Sequence, residues 1–132
     1  MTKILVVDDD PDIRQVANII LTARGYQVVQ AKDGEEGLAM LRQERPDLMI
    51  LDLLMPRKDG FTVCRELKDP RWSKYAKMPI LILTAVKEDA SRRRYELETG
   101  LSLDVDDYAE KPIAPEALLE RVENLLRRKT RT

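Results

Sequence analysis

The chain has 132 residues, a length that fits one domain with a buried core and is too short for two ordinary domains. Lys and Arg total 23 against 24 Asp and Glu, so a net charge of −1 provides no general attraction to nucleic acid or to an anionic membrane. The sequence has no histidine and one cysteine, Cys64, which excludes serine–histidine and cysteine–histidine catalysis, histidine–zinc sites and an internal disulfide.

Five short apolar segments along the chain predict five β-strands. They are KILVV, YQVVQA, DLMIL, PILIL and the weaker DVDDYAE. Helical patterns separate them, and continuous Val/Ile/Leu runs that alternate with helices are typical of a parallel sheet covered on both faces. We therefore predict a flavodoxin-like (βα)5 fold, which is a doubly wound parallel sheet with strand order 2-1-3-4-5.

A helix is predicted after each of the first three strands. The first helix has Asp10 as its N-cap candidate and Pro11 as its first residue, and it is expected to end before Gly25. The apolar residues expected on its buried face are Ile13, Val16, Ala17, Ile20 and Leu21. The second and third helices are predicted over residues 33–44 and 59–68, each with a leading Asp and an apolar stripe.

The last two predicted helices differ in how many apolar residues they can bury. The fourth, over residues 87–99, has only Ala90, Tyr95 and Leu97 as apolar anchors, so little burial stabilises it. The fifth begins at Pro115 and carries a continuous Leu and Val stripe that ends in basic residues. We expect residues 1–128 to form one domain and residues 129–132 a basic C-terminal tail, with no output domain present.

Acidic residues follow two strands that should be neighbours. Asp8 and Asp9 end the first strand, and Asp52 ends the third. Strand order 2-1-3-4-5 places both strand ends beside the crevice where ligands bind open parallel sheets. Carboxylates this close repel one another by several kcal/mol, so a cation is required among them. Magnesium suits the site, because it prefers oxygen ligands, keeps several waters and uses one or two carboxylates with a phosphate oxygen.

Two further strands bring polar groups to the same edge. The fourth strand ends in the hydroxyl of Thr84, and the fifth is followed by the ammonium of Lys111. A metal, a lysine, a hydroxyl and a carboxylate at one point are typical of phosphoryl transfer, in which positioning and charge neutralisation supply most of the catalysis. Asp52, the central carboxylate, is the predicted nucleophile.

Four motifs in chain order carry a resemblance to a known family. VVDDDPDIR, ILDLLMPRKDG, LTA and DDYAEKP stand at the ends of successive predicted strands, and together they span nearly the whole chain. With these motifs the sequence resembles a response-regulator receiver domain of two-component signal transduction. The resemblance implies that Asp52 accepts a phosphoryl group from a sensor histidine kinase or a histidine phosphotransfer protein. It also implies a signalling switch that catalyses only its own phosphorylation and dephosphorylation.

The resemblance implies a magnesium site as well. Asp9, Asp52 and the Leu54 backbone carbonyl would bind Mg²⁺ directly, and Asp8 would act through water. Lys111 would pair with Asp52 before transfer and with the phosphoryl group afterwards. A cis peptide is implied between Lys111 and the proline that follows it.

The switch and its partners are implied in the same way. Thr84 would turn toward the phosphoryl group and Tyr108 would turn inward, which would change the surface made by the fourth helix, the fifth strand and the fifth helix. That surface would bind an unknown downstream protein, or form a weak dimer of a chain that is otherwise monomeric. No direct contact with nucleic acid or membrane is expected, and the cytoplasm is the expected location, since no apolar run approaches about 20 residues and no signal peptide is evident.

One feature departs from the family pattern, and two other functions are weighed. The segment LSLDV after Gly100 lengthens the connection to the fifth strand, which affects the signalling surface rather than the site. A phosphatase of the haloacid-dehalogenase type would need a second acid at position 54, where Leu54 stands, and a cap domain. A pseudo-receiver without phosphorylation would be expected to lack the acidic pair or the lysine. Glycine-rich nucleotide-binding turns are absent after the first strand.

Overall fold

The protein forms a parallel five-stranded sheet with strand order β2-β1-β3-β4-β5. The computed structural model describes residues 1–85, 93–94, 96 and 105–130, with the backbone alone at 84, 129 and 130. The strands are β1 Lys3–Val7, β2 Gln27–Ala31, β3 Leu48–Asp52, β4 Ile80–Thr84 and β5 Asp107–Glu110. All four pairings are parallel, which confirms the predicted flavodoxin-like fold and its strand order.

Helices lie on both faces of the sheet. They are α1 Pro11–Ala23, α2 Gly34–Glu44, α3 Gly60–Glu66, a 3₁₀ helix Pro70–Tyr75 and the fifth helix Pro115–Thr130. Most of the predicted fourth helix, and most of the LSLDV connection, lie outside the described residues; residues 93, 94 and 96 are helical. Within the described part of the chain, no helix has the length and apolar character needed to cross a membrane.

Aspartates fix where the first three helices begin. Asp10 accepts a hydrogen bond from the backbone N–H of Asp12 at 2.9 Å, as the sequence predicts for an N-cap. Asp33 and Asp59 do the same for α2 and α3, each accepting from the N–H three residues later at 2.8 Å. Because each helix follows a strand, these capped N-termini lie at the edge of the sheet where the strands end.

The core has one layer on each face of the sheet. One layer lies between the sheet and α2, α3 and the 3₁₀ helix, and the other lies between the sheet and α1 and the fifth helix. Every residue of β3 is buried, so this strand is central, and Asp52 is its last residue. The prediction that Val16 belongs to the buried face of α1 is wrong, since it is 42% exposed. The stripe passes through Ala17 and Leu21, and Val16 lies at its margin.

The 3₁₀ helix is an element that the sequence reasoning missed. Its Trp72 is buried, and the Arg42 guanidinium lies 4.3 Å from the centre of the indole ring. The hydroxyl of Tyr75 donates to the backbone carbonyl of Leu41 at 2.8 Å. Together these contacts cover the core at the C-terminal end of α2. The available signal was Asp69 before Pro70, because Asp69 caps this helix.

Candidate functional site

Strand register brings polar and charged residues from the ends of four strands to one edge of the sheet. Val7 of β1 aligns with Leu51 of β3, so Asp8 and Asp52 follow at the same height on neighbouring strands. Neighbouring strands are about 4.8 Å apart, which places the two carboxylates within contact range. Thr84 aligns with Glu110 in β5, so Lys111 emerges beside them.

Lys111 lies between the two buried carboxylates. Its Nζ is 3.2 Å from Asp8 Oδ2 and 3.3 Å from Asp52 Oδ1. Both aspartates are only 1% exposed, whereas the lysine side chain is 19% exposed. One ammonium therefore neutralises part of a pocket that, with Asp9 included, holds three acidic groups.

The backbone around Asp8 is held in place by two hydrogen bonds. The N–H of Asp10 donates to Asp8 Oδ1 at 3.0 Å, and Arg14 Nη1 donates to the Asp8 backbone carbonyl at 2.7 Å. Asp8 Oδ2 accepts no hydrogen bond of good geometry from the described residues, and the Lys111 ammonium is its close contact. This buried oxygen therefore faces the pocket with capacity for a further cation or donor.

Burial raises the pKa of Asp8 above its ordinary value. Desolvation is the largest cause, and it is opposed by the hydrogen bond from Asp10 and by the charge of Lys111. The charged form of Asp8 is thus disfavoured in the metal-free fold. A second cation in the pocket would reverse this effect.

The raised pKa predicts how the stability of the metal-free protein depends on pH. A carboxyl group whose folded pKa lies above its unfolded value contributes stability below the unfolded pKa, about 3.9, and that contribution is lost as the pH rises through the folded pKa. Asp8→Asn cannot titrate, so we expect it to gain stability relative to the parent as the pH rises above about 4. Urea unfolding of both proteins in EDTA, from acid to neutral pH, measures this difference. A gap that stays constant with pH contradicts the prediction.

The donor set suits Mg²⁺. Asp8, Asp9 and Asp52 each offer a carboxylate oxygen, and these oxygens lie within 4.8 Å of one another. Mg²⁺ binds carboxylate oxygens and keeps several waters, so a carboxylate cluster of this size would accommodate the ion through direct and water-mediated contacts. Asp9 is exposed, which leaves room for the waters that Mg²⁺ retains.

The structure also places the other predicted residues. The N–H of Leu54 lies 3.4 Å from Asp52 Oδ1, so the backbone of Leu54 is next to the Asp52 carboxylate. Tyr108 is half-buried on β5 and packs against the core layer of α2 and α3. Thr84 is the last residue of β4, and its hydroxyl lies outside the described atoms. The Lys111–Pro112 peptide is cis, as expected.

A family model for the response regulator receiver domain matches residues 4–123. The chain belongs to this family. The receiver domain is a signalling domain of two-component response regulators, and the resemblance seen in the four sequence motifs is thereby confirmed.

Known relatives agree with the family. The chain is 45% identical over 126 residues to the response regulator MprA of Mycobacterium avium, covering 96% of this chain and 51% of that protein. It is 43% identical over 131 residues to the DNA-binding dual master transcriptional regulator RpaA of Synechocystis sp., covering 99% and 52%. The receiver domain thus spans about half the length of the curated relatives it matches.

A solved structure supports the fold. The signal receiver domain of a signal transduction histidine kinase from Syntrophus aciditrophicus superposes with a TM-score of 0.82 at 32% identity, covering 100% of this chain and 95% of that one. The proteins that match this chain therefore include both a transcriptional regulator and the receiver domain of a histidine kinase.

Two features of this receiver site were missed from the sequence. Lys111 contacts Asp8 as closely as Asp52, and Arg14 supports the Asp8 backbone. The motif VVDDDPDIR contained the signal for Arg14, because residue 14 lies one turn into α1 and can reach back over the strand end. No sequence signal distinguished Asp8, which is buried, from Asp9, which is exposed.

Proposed function

We propose that this receiver domain accepts a phosphoryl group on Asp52 from a phosphohistidine of a sensor histidine kinase or a histidine phosphotransfer protein. The observation that carries the proposal is the buried Asp52 carboxylate in contact with the Lys111 ammonium, beside two further carboxylates. The Lys111 ammonium lies 3.3 Å from this buried carboxylate and positions it, and Asp carboxylates are among the groups that act as nucleophiles toward phosphorus.

In the transfer, an Asp52 carboxylate oxygen attacks phosphorus and forms the new P–O bond. The P–N bond to the donor imidazole breaks, and its electron pair stays on that nitrogen. Lys111 holds the acceptor oxygen before transfer and offsets the phosphoryl charge afterwards. Asp9, Asp52 and the Leu54 carbonyl would hold Mg²⁺ directly, with Asp8 through water. Bound Mg²⁺ supplies neutralisation of the charge on the phosphoryl oxygens.

The phosphorylated domain acts as a switch. The phosphoryl group adds charge and acceptor oxygens next to the β4 and β5 ends, so Thr84 turns toward it and Tyr108 turns inward. These movements change the surface of the fourth helix, β5 and the fifth helix, which then binds a downstream protein or forms a weak dimer. The half-buried packing of Tyr108 against the core layer of α2 and α3 supports this, because an inward turn would bury more of its ring.

The proposal also covers the bounds of the domain, its cellular location and its partners. We propose that residues 1–128 carry the receiver function and that this domain acts in the cytoplasm without contacting membrane or nucleic acid. Residues 129 and 130 continue the fifth helix, so the proposed basic tail begins as part of that helix. RpaA is described as DNA-binding, but the matched receiver covers 52% of that protein. The match therefore does not assign DNA binding to the receiver domain itself. A transcriptional role would require a protein partner or a region other than the receiver domain.

Intact mass measured after incubation with acetyl phosphate tests the proposed function. We expect the parent to gain one phosphoryl group with Mg²⁺ and none in EDTA, because three carboxylates repel the donor without a metal. Asp52→Asn should gain none. Asp12→Asn, an exposed carboxylate in the first turn of α1, is the matched control and should behave as the parent. An unchanged parent mass, or equal gain by Asp52→Asn, refutes the proposal.

A further inference from the structure

The first residue of α2, Gly34, is in direct backbone contact with the loop that follows Asp52. Its N–H donates to the carbonyl of Lys58 at 2.9 Å. A Cβ atom at position 34 would lie 2.2 Å from that carbonyl oxygen and 2.6 Å from Val63 Cγ2. The contact therefore leaves no space for any side chain at this position.

The contacted loop, residues 53–59, carries part of the candidate site. Leu54, whose N–H approaches the Asp52 carboxylate, lies at its start, and Lys58 lies at its end. Gly60 closes the loop, since its N–H donates to the Leu53 carbonyl at 2.9 Å. Loop 53–59 is thus held at two places by backbone contacts, one of them supplied by a different helix.

Helix α2 is itself firmly placed. Asp33 is 3% exposed and caps it, accepting from the N–H of Glu36 at 2.8 Å. Gly37 packs against Val7, the residue before Asp8. A Cβ atom at position 37 would lie 3.1 Å from Val7 Cγ2, which is a tight contact. The Gly34 contact therefore ties loop 53–59 to an element that is docked on β1.

We infer that Gly34 is a positioning residue for the metal and acceptor site. Its contact with Lys58 holds loop 53–59 where the Leu54 backbone and Asp52 can bind Mg²⁺ together. This inference rests on the proposed function for the role of the metal. The contact itself is a property of the fold.

Gly34→Ala tests the inference when Mg²⁺ binding is measured by titration calorimetry. Displacement of the loop by about 1 Å is enough for large functional losses, so we expect the Mg²⁺ dissociation constant to rise by about tenfold or more. Gly25→Ala is the matched control, because a Cβ atom there meets no atom within 4 Å, while the φ of +93° strains any side chain at that position. It should lower the melting temperature and change the Mg²⁺ dissociation constant by less than about twofold, since Gly25 does not contact loop 53–59. Equal affinities in Gly34→Ala and the parent overturn the inference.

A second variant separates the two clashes at position 34. Gly34→Ala combined with Val63→Ala removes the contact with Val63 Cγ2 and keeps the one with the Lys58 carbonyl. Weak Mg²⁺ binding should persist in the double variant, whereas Val63→Ala alone should bind as the parent. Recovery of parental affinity in the double variant would show that side-chain packing, and not the backbone contact, is responsible.

Amide hydrogen exchange of the parent provides a test that requires no variant to fold. If the Gly34 N–H and the metal site are coupled through loop 53–59, Mg²⁺ must slow exchange at Gly34. Unchanged exchange at Gly34, with slowed exchange at Leu54, overturns the inference. Failure of the parent to bind Mg²⁺ at all instead refutes the metal dependence in the proposed function, so the two failures are distinguishable.

Discussion

Lys111→Met should destabilise the metal-free protein by roughly 3 kcal/mol at neutral pH, the scale for breaking a buried ion pair by removing one partner. The variant leaves Asp8 and Asp52, each 1% exposed, without the ammonium that lies 3.2 and 3.3 Å from them. Because the lost partner is positive, the same variant should bind Mg²⁺ more tightly than the parent. Urea unfolding in EDTA measures the first effect, and Mg²⁺ titration measures the second.

Lys58→Met is the matched control for that change. Lys58 pairs with Glu66 at 2.8 Å, but the two side chains are 31% and 26% exposed. Such partly solvated pairs are worth about 1 kcal/mol or less. The cost of Lys111→Met should also shrink when Mg²⁺ is added or when acid protonates the carboxylates. A cost equal to that of Lys58→Met, or one independent of pH and Mg²⁺, contradicts the role assigned to Lys111.

Mg²⁺ should stabilise the parent, and Asp52→Asn should remove most of that effect. A ligand at about 100 times its dissociation constant stabilises the state that binds it by about 2.7 kcal/mol. Asp52→Asn deletes one of the three clustered carboxylates, so the variant should be more stable than the parent in EDTA and respond far less to Mg²⁺. Thermal unfolding of both proteins across a Mg²⁺ series provides the measurement.

Asp12→Asn is again the control, because it distinguishes the loss of a carboxylate in the pocket from a general change in net charge. Asp12 is exposed in the first turn of α1, so its removal changes the net charge equally but leaves the pocket intact. It should retain the parental response to Mg²⁺. If Asp52→Asn is stabilised by Mg²⁺ as much as Asp12→Asn, the ion binds elsewhere and the assigned metal site is wrong.

Much of the fold was predictable because it is encoded by local signals. β1, β3 and β4 contain continuous apolar runs, and a fully buried strand such as Leu48–Asp52 requires one. The N-caps Asp10, Asp33 and Asp59 marked the helix starts to within one residue. The ends of these apolar runs predicted the ends of the strands. The strand ends in turn identified the edge of the sheet where the acidic residues lie.

The rest depends on tertiary contacts that have no local signature. The burial of Asp8 could not be deduced, because it accompanies contacts made only in the folded chain, where the Asp10 N–H donates to the Asp8 carboxylate and Arg14 donates to the Asp8 carbonyl. Trp72 required a partner surface on α2 before its short helix could be recognised. The prediction for Val16 failed for a similar reason, because the buried face of α1 is the one that packs with the sheet and the fifth helix, and Val16 lies outside that cluster.

The most direct measurement is the position of the phosphoryl group on the chain. After incubation with acetyl phosphate and Mg²⁺, borohydride reduction converts an aspartyl phosphate to homoserine, which peptide mass spectrometry can locate. We predict that homoserine is found at position 52 alone. Homoserine at position 8 or 9, or the absence of any modified residue in a protein that binds Mg²⁺, would contradict the assignment of Asp52 as the phosphoacceptor.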